Sequence, residues 1–371
     1  MINILYLITT QQKDGPGNVL INIVNNIDRN KFKPMVVYMY HKKDAKENIT
    51  DFISKDIKIV NLNMKSPFRG WLDIRVIFKL RRIIKENNIG IIHMHLHRPI
   101  IFGTKAAKGI KKIATIHNQE PHQTPHNIFE YIVNRLENRS LKKCDYITTV
   151  SKAVKESIIS CYGDLTDNNV KVIYNALNTF NYSENGLDIK TKYNLGENLI
   201  IASIGRLDIQ KGIDYLIDAI ELLEQKNIGN YKLLIIGEGN LECKLKEKVI
   251  KKHLKDKIIF TGYIKNVYSI LDQIDIVVMP SIYEGFGLSL VEAMSKKICC
   301  IGTDVGGIPE VLGNSEIIVQ SKNPIELSKV LEKMIINNDD RKRIGEELYR
   351  RYEEYFTFDK MINSYEKIYL S

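Results

Sequence analysis

No run of apolar residues in this 371-residue chain approaches the roughly 18–20 that a membrane-spanning helix needs. The apolar start, Met1-Ile-Asn-Ile-Leu-Tyr-Leu-Ile8, is short and lacks a basic leader and a small-residue cleavage site. It reads as a first buried strand rather than a signal peptide. Cysteine is sparse: Cys144, Cys161, Cys243, Cys299 and Cys300 are odd in number, scattered and without a C-x-x-C pair. That usage gives no zinc site and suits a reducing cytoplasm. Cys299 and Cys300 stand in one apolar run, so both are expected to be buried thiols. Proline is scarce, and no low-complexity tract, coiled coil or repeat of 20–50 residues is visible, which excludes solenoid and disordered classes. No G-x-x-x-x-G-K-[ST] or G-x-S-x-G string occurs, which argues against P-loop and hydrolase chemistry.

What is present is an ordinary globular composition, 44% apolar and 26% charged, at a length that suggests two domains. The net charge of +10 is uneven: residues 1–180 hold 28 Lys and Arg against 15 Asp and Glu, and residues 181–371 hold 26 against 29. All the excess positive charge therefore lies in the first half, in clusters at 79–85, 105–112 and 135–143. Such asymmetry fits an anionic partner (a membrane surface, a lipid pyrophosphate or nucleic acid), and it equally fits solvated helix faces. No nucleic-acid motif and no aromatic-basic interleaving is present, so no nucleic acid is expected as partner. Residues 68–71, Phe-Arg-Gly-Trp, hold the only tryptophan and fit either an interfacial anchor or a core position.

Short apolar runs alternate with amphipathic ones. Strands are expected at 2–8, 33–40, 57–62, 90–95, 113–117 and 146–150, with helices near 18–27, 74–86, 100–108, 128–141 and 152–161. The cycle restarts with strands at 199–203, 232–236, 258–260, 274–279, 298–302 and 317–319, and helices at 213–223, 241–253, 267–271, 288–295 and 325–336. Residues 342–370 read as two helices broken around Phe356-Thr-Phe-Asp359. Repeated β-α order implies α/β architecture with two doubly wound parallel sheets, joined near 172–178.

The most informative segment is Pro280-Ser-Ile-Tyr-Glu284-Gly-Phe-Gly-Leu-Ser-Leu-Val-Glu292. It follows a strand-like run, so the order is strand, glycine turn, helix, and backbone N–H groups would stand at a helix N-terminus where an anion can dock. Glu284 would sit at the mouth of the loop. Glu292 would sit about two turns on, placed to accept hydrogen bonds from a ribose diol. In Gly205-Arg206-Leu-Asp-Ile-Gln-Lys211-Gly212 two cations five apart share a glycine-bearing loop and could converge on one anion. Two fixed cations can stabilise a departing diphosphate without a metal. Gly15-Pro-Gly17-Asn18 follows the first strand and opens a helix, which fits a plain loop or a phosphate or acceptor contact. His117 ends a strand, at the edge where doubly wound sheets bind ligands. His93, His95 and His97 alternate along one strand; a metal site is a possible reading of that spacing, and a role for His95 and His97 near an acceptor pocket is preferred.

The E-x7-E element and the G-R-L-x-x-x-K-G string resemble retaining glycosyltransferases of the GT-B fold, particularly the large family 4 (group 1) of bacterial surface-polysaccharide enzymes. The resemblance covers nearly the whole chain and is most specific in residues 203–310. It departs at Asn175-Ala-Leu-Asn178, where the family usually has N-G-[IV]-D and only the first Asn matches. It implies two Rossmann-like domains facing a central cleft: 1–174 with a crossing helix at 357–371 for the acceptor, and 175–356 for a nucleotide-diphosphate sugar, expected to be UDP-linked. It implies catalytic roles for His117, Glu284, Arg206 and Lys211. Donor contacts would come from Gly17, Gly205, Gly237, Tyr263, Ile264, Gly285, Phe286, Gly287, Leu288 and Glu292, and acceptor contacts from Asn18, His95 and His97. Gly302-Thr-Asp304-Val-Gly306-Gly307-Ile-Pro309-Glu310 matches the family's G-G-x-P-E turn, which is mainly structural.

Asp272 and Asp275 do not form the D-x-D motif of the other main transferase fold, so neither metal nor cofactor is expected. The expected reaction is sugar transfer to a lipid-linked or surface-polysaccharide precursor, as for capsule, O-antigen or lipopolysaccharide. The expected place is the cytoplasm, with peripheral contact to an anionic inner leaflet. A UDP-sugar epimerase of the same fold and a non-catalytic sugar-nucleotide-binding partner subunit are the rival readings.

Overall fold

The computed structural model describes residues 1–42, 47–64, 73–118, 128–162, 165, 169–177 and 187–371, with backbone alone for 128–130. Residues 68–71, His122, His126 and Asn178 lie outside the described residues. The chain divides into two compact units, Met1–Asn175 with Phe358–Ser371, and Ala176–Thr357.

In chain order the first unit contains β1 (Ile2–Thr10), α1 (Gly15–Asn26), β2 (Phe32–Tyr40), β3 (Lys58–Asn61), α2 (Ile74–Glu86), β4 (Ile91–His95), α3 (His97–Ala106), β5 (Lys111–Ile116), α4 (Ile128–Leu141), β6 (Tyr146–Thr149), α5 (Lys152–Tyr162) and β7 (Val170–Val172). The strands pair in parallel in the order β3-β2-β1-β4-β5-β6-β7. Ile4 to Ile8 are at most 1% exposed, as a central strand covered on both faces requires. The sequence leads to six strands here and the structure has seven among the described residues. The seventh, three residues long, ends where the inter-domain join is expected to begin, and so short a run has no period to detect.

The second unit contains α6 (Ile189–Lys192), β8 (Leu199–Ile204), α7 (Ile213–Gln225), β9 (Tyr231–Ile236), α8 (Glu242–Lys251), β10 (Ile258–Gly262), β11 (Ile276–Met279), α9 (Leu288–Met294), β12 (Cys299–Thr303), α10 (Ile308–Leu312), β13 (Ile318–Val319), α11 (Pro324–Ile336) and α12 (Asn338–Tyr355). Its sheet is also parallel, in the order β10-β9-β8-β11-β12-β13. Cys299 and Cys300 in β12 are buried free thiols. The expected helix at 267–271 is a 3-10 turn, Tyr268–Gln273. The expected helix from 342 starts earlier, at Asn338, because the Asn337 side chain accepts the N–H groups of Asp339 and Asp340 and so caps it.

The last helix, α13 (Phe358–Leu370), belongs to the first unit although it follows the second in sequence. It is held by both polar and apolar contacts. Glu366 Oε1 accepts the Asp28 N–H at 2.8 Å, and Lys111 Nζ donates to the carbonyls of Ile368 and Tyr369 at 3.1 and 3.3 Å. The Tyr369 ring meets the Phe32 ring edge-on at 5.6 Å. Among the described residues no helix is long and apolar enough to cross a membrane.

Candidate functional site

In each unit the strand order reverses once, between β1 and β4 and between β8 and β11. Open parallel sheets bind ligands outside the C-terminal strand ends at such a switch point, because the connections there diverge to opposite faces. In the second unit the two loops flanking it carry the sequence-predicted cations and the first glutamate. Lys211 follows β8, Glu284 follows β11, and Lys211 Nζ lies 2.5 Å from Glu284 Oε2 with both side chains largely buried. Ser281 Oγ lies 3.4 Å from the same carboxylate oxygen.

Two glycines fix this pair. Gly212 has φ +62, and a Cβ there would fall 2.0 Å from the Pro280 carbonyl oxygen. Only glycine lets the β8 loop approach the β11 loop so closely. Gly306 has φ +54, and its Cβ would fall 1.7 Å from the Glu284 carbonyl oxygen, which also accepts the Gly307 N–H at 3.2 Å. The G-G-x-P-E turn thus holds the Glu284 backbone, which gives its structural role a specific content. The two loops are further tied by the Ile282 N–H to the Gln210 carbonyl at 2.7 Å and Gln210 Nε2 to the Tyr283 carbonyl at 3.2 Å.

Arg206 stands beside this core with its side chain mostly exposed, 3.3 Å from Asp208 Oδ2 and from Gln210 Oε1. Gly205, Gly237 and Tyr263 are knit into one edge: Gly205 N–H reaches the Ile236 carbonyl, Gly237 N–H the Gly262 carbonyl, and Tyr263 N–H the Glu238 Oε1, at 2.9–3.0 Å. The structure therefore gathers Gly205, Arg206, Lys211, Gly237, Tyr263 and Glu284 at the ends of adjacent strands. Ile264 follows Tyr263. Gly285, Phe286 and Gly287 lead into α9, which begins at Leu288 with no side-chain cap on Gly287, and Glu292 lies within it. The Phe286 ring is buried against Phe356 at 5.6 Å, so that side chain is core.

In the first unit the predicted residues again collect at strand ends. Gly17 and Asn18 open α1, but the Gly17 N–H is donated to Asp14 Oδ1 at 3.1 Å and the Asn18 N–H to the Asp14 carbonyl at 2.8 Å. Asp14, unnoticed in the sequence, is thus the helix cap. The three alternating histidines do not act together. His93 Nδ1 meets the Tyr369 hydroxyl at 2.8 Å and its Nε2 meets Thr115 Oγ1 at 2.6 Å. His95 Nδ1 lies 3.0 Å from His117 Nε2. His97 Nδ1 lies 2.7 Å from the Glu137 carboxylate, which is 1% exposed. Among the described residues no group of three side chains is arranged to hold a metal ion. Burial disfavours the imidazolium form, holding His93 and His117 down at about 3 and His95 well below its ordinary value. Glu137 was missed, although its spacing from Val133 and Leu141 puts it on the inward face of α4.

Comparison with known proteins agrees with this geometry. Residues 13–179 match the model of Glycosyltransferase Family 4, and residues 187–351 match that of Glycosyl transferases group 1. N-acetyl-alpha-D-glucosaminyl L-malate synthase of Bacillus anthracis is 26% identical over 322 residues, 84% of this chain and 82% of that protein. The O-antigen biosynthesis glycosyltransferase WclY of Escherichia coli is 23% identical over 372 residues, 99% and 98% of the two chains. A Methanocaldococcus jannaschii glycosyltransferase aligns over a shorter stretch, 64% of this chain and 63% of that one, at 28% identity. Among solved structures, Anabaena HepE in complex with UDP and glucose superposes with a TM-score of 0.82 over the whole of both chains at 17% identity, a likeness of fold. With both halves matched and the GT-B architecture in place, the chain belongs to the group 1, family 4 glycosyltransferases.

Proposed function

We propose that this chain is a retaining, metal-independent glycosyltransferase that moves a sugar from a UDP-linked donor to a lipid-linked or surface-polysaccharide precursor. The observation that carries the reading is the Lys211–Glu284 pair, with Arg206 beside it, at the β8/β11 switch point. A bound donor exchanges this internal pair for two better-matched ones. The diphosphate takes the Lys211 ammonium and the Arg206 guanidinium, and the sugar hydroxyls take the Glu284 carboxylate. Glu292 holds the ribose diol, and the amides of Gly285 to Gly287 complete the contacts. Gly205, Gly237, Tyr263 and Ile264 frame the nucleotide.

As the bond from the anomeric carbon to the diphosphate oxygen breaks, charge grows on the leaving group. Two fixed cations stabilise that charge at no reorganisation cost. The acceptor hydroxyl attacks on the same face and its proton passes to the departing phosphate, so configuration is retained and no protein nucleophile is required. His117 hydrogen-bonds the transferred sugar, and Asn18 and His97 belong to the acceptor side, whereas the expected acceptor contact of His95 is ruled out by its full burial behind His117. UDP as the nucleotide is supported by HepE, which holds UDP. A surface glycan as acceptor is supported by the O-antigen role in the name of WclY. Peripheral contact with an anionic leaflet is supported by the basic first half and by α2, where the exposed Ile74 and Phe78 are followed directly by Arg75 and Lys79.

Calorimetric titration with UDP, GDP, ADP and their sugars in EDTA tests the reading. Micromolar binding of UDP or its sugars, weakened in Arg206→Ala and Glu292→Ala, is the expected result. Binding only with added divalent ion would remove metal independence, and binding of none would remove the donor site. Flotation with anionic against neutral vesicles tests the membrane contact; indifference to lipid charge would remove it.

A further inference from the structure

His95 ends β4 and His117 directly follows the neighbouring β5, and the two form a pair whose proton bookkeeping has one acceptable solution. Their rings stack at 5.3 Å with an interplanar angle of 27°, and His95 Nδ1 faces His117 Nε2 at 3.0 Å. One nitrogen must carry the hydrogen and the other must not. His95 is fully buried, and its second nitrogen, Nε2, is buried with no hydrogen-bond partner. If His117 donated, the His95 hydrogen would sit on Nε2, a buried N–H with nothing to receive it. If His95 donates from Nδ1, its Nε2 keeps only a lone pair. Orphaned buried N–H groups are the rarer of the two defects. His95 therefore donates, His117 Nε2 accepts, and the remaining hydrogen of His117 is on Nδ1. The neighbouring histidine is unavailable as an alternative donor. Both His93 ring nitrogens are engaged in a separate buried chain, Nδ1 with the Tyr369 hydroxyl, which accepts from Tyr6, and Nε2 with Thr115 Oγ1.

We propose that His95 is a positioning residue that locks His117 as its Nδ1–H tautomer, making His117 an obligate hydrogen-bond donor toward a ligand oxygen. Resting on the transferase reading, this assigns His117 a donor's part and denies it the part of general base. A neutral imidazole whose basic nitrogen is already occupied by His95 cannot take the proton of the acceptor hydroxyl. That proton goes to the departing phosphate. Charging either ring is opposed by burial, which keeps the pair neutral at neutral pH. The group His117 meets must offer a lone pair, such as a sugar hydroxyl or a phosphate oxygen.

Imidazole 15N–1H correlation spectra of the 15N-labelled full chain at neutral pH test this without any ligand. In the wild type, His117 is expected to show a protonated Nδ1 and an unprotonated Nε2. His95→Met offers a weak sulfur acceptor and no donor; His117 should then shift toward the Nε2–H tautomer, with kcat down about tenfold and donor KM within about twofold. His95→Asn places an amide N–H where Nδ1 stood and should recover the tautomer and most of the lost rate. An Nε2–H tautomer in the wild type, or an unchanged tautomer in His95→Met, would overturn the proposal. The spectra need no substrate, so a chain that transfers no sugar would defeat the transferase reading and leave the tautomer result standing.

Discussion

Lys211 and Glu284 are 73 residues apart in sequence and 2.5 Å apart in space. Each largely buried charge is answered by the other, with Ser281 Oγ near the carboxylate. The pair is therefore both a structural tie between two loops and the polar centre of the proposed donor site.

The two roles separate in a double-mutant cycle. Lys211→Met leaves Glu284 without its cation, and Glu284→Gln leaves Lys211 without its anion. Each should destabilise the second unit by about 2–3 kcal/mol, while the double variant should cost less than the sum by about 1–3 kcal/mol. Urea unfolding measures this. Affinity for UDP should fall at least tenfold in Lys211→Met and much less in Glu284→Gln, because the carboxylate is assigned to the sugar. Equal losses of UDP affinity would contradict that division.

Gly306 offers a sharper steric test. Gly196 has nearly the same positive φ, +55 against +54, but a Cβ there meets nothing within 4 Å. Gly196→Ala should cost about 1 kcal/mol, from backbone strain alone. Gly306→Ala adds a clash with the Glu284 carbonyl oxygen and should cost about 2–4 kcal/mol and weaken donor binding. Equal stabilities of the two variants by urea unfolding would show that the Glu284 backbone is not held by this turn.

The two doubly wound sheets were legible because Ile- and Val-rich runs separated by amphipathic segments have few other arrangements. The cations and the first glutamate were legible because each follows a strand through a glycine turn. Their partnership was not, since no spacing rule connects residues 73 apart. The same holds for His95 with His117: the alternation of histidines along β4 drew attention to the strand, whereas the partner comes from the next one. The α13 tyrosines were also unread. Tyr365 and Tyr369 are four apart and look like one helical stripe, but what they cover is a polar strip of the sheet, which only the tertiary structure reveals.

That strip gives an ordered prediction. Tyr369 accepts from Tyr6 at 3.1 Å, and the His93 tautomer with its hydrogen on Nε2 makes it also the donor to His93 Nδ1 at 2.8 Å. Tyr369→Phe keeps the ring against Phe32 but leaves a buried donor and a buried acceptor unmet, and should cost about 2–4 kcal/mol. Tyr6→Phe, at the end of the chain of donors, leaves only a second lone pair on Tyr369 unmet and should cost about 0.5–1.5 kcal/mol. Guanidinium unfolding ranks them; the reverse order would mean that the hydrogen bonds run the other way.

Acid should weaken the first unit through its buried histidines. Burial holds His93 and His117 at about 3 in the folded chain, against about 6.5 when unfolded. Above about pH 6.5 both states are neutral and the histidines take nothing from stability. As pH falls from there toward 3, the unfolded chain binds protons that the folded chain refuses. Each such histidine then costs about 1.4 kcal/mol per pH unit, and the loss levels off below the folded value. Carboxylates of the unfolded chain also titrate toward the acid end of this window, so the informative quantity is a difference between proteins. His117→Asn removes one of these proton sites and should make the slope of stability against pH shallower by about 1.4 kcal/mol per unit between pH 6 and 4. Urea unfolding at several pH values, followed by circular dichroism, measures both slopes. Identical slopes would mean that His117 accepts a proton within the folded chain. That result would also return it to consideration as an acid or base in the transfer.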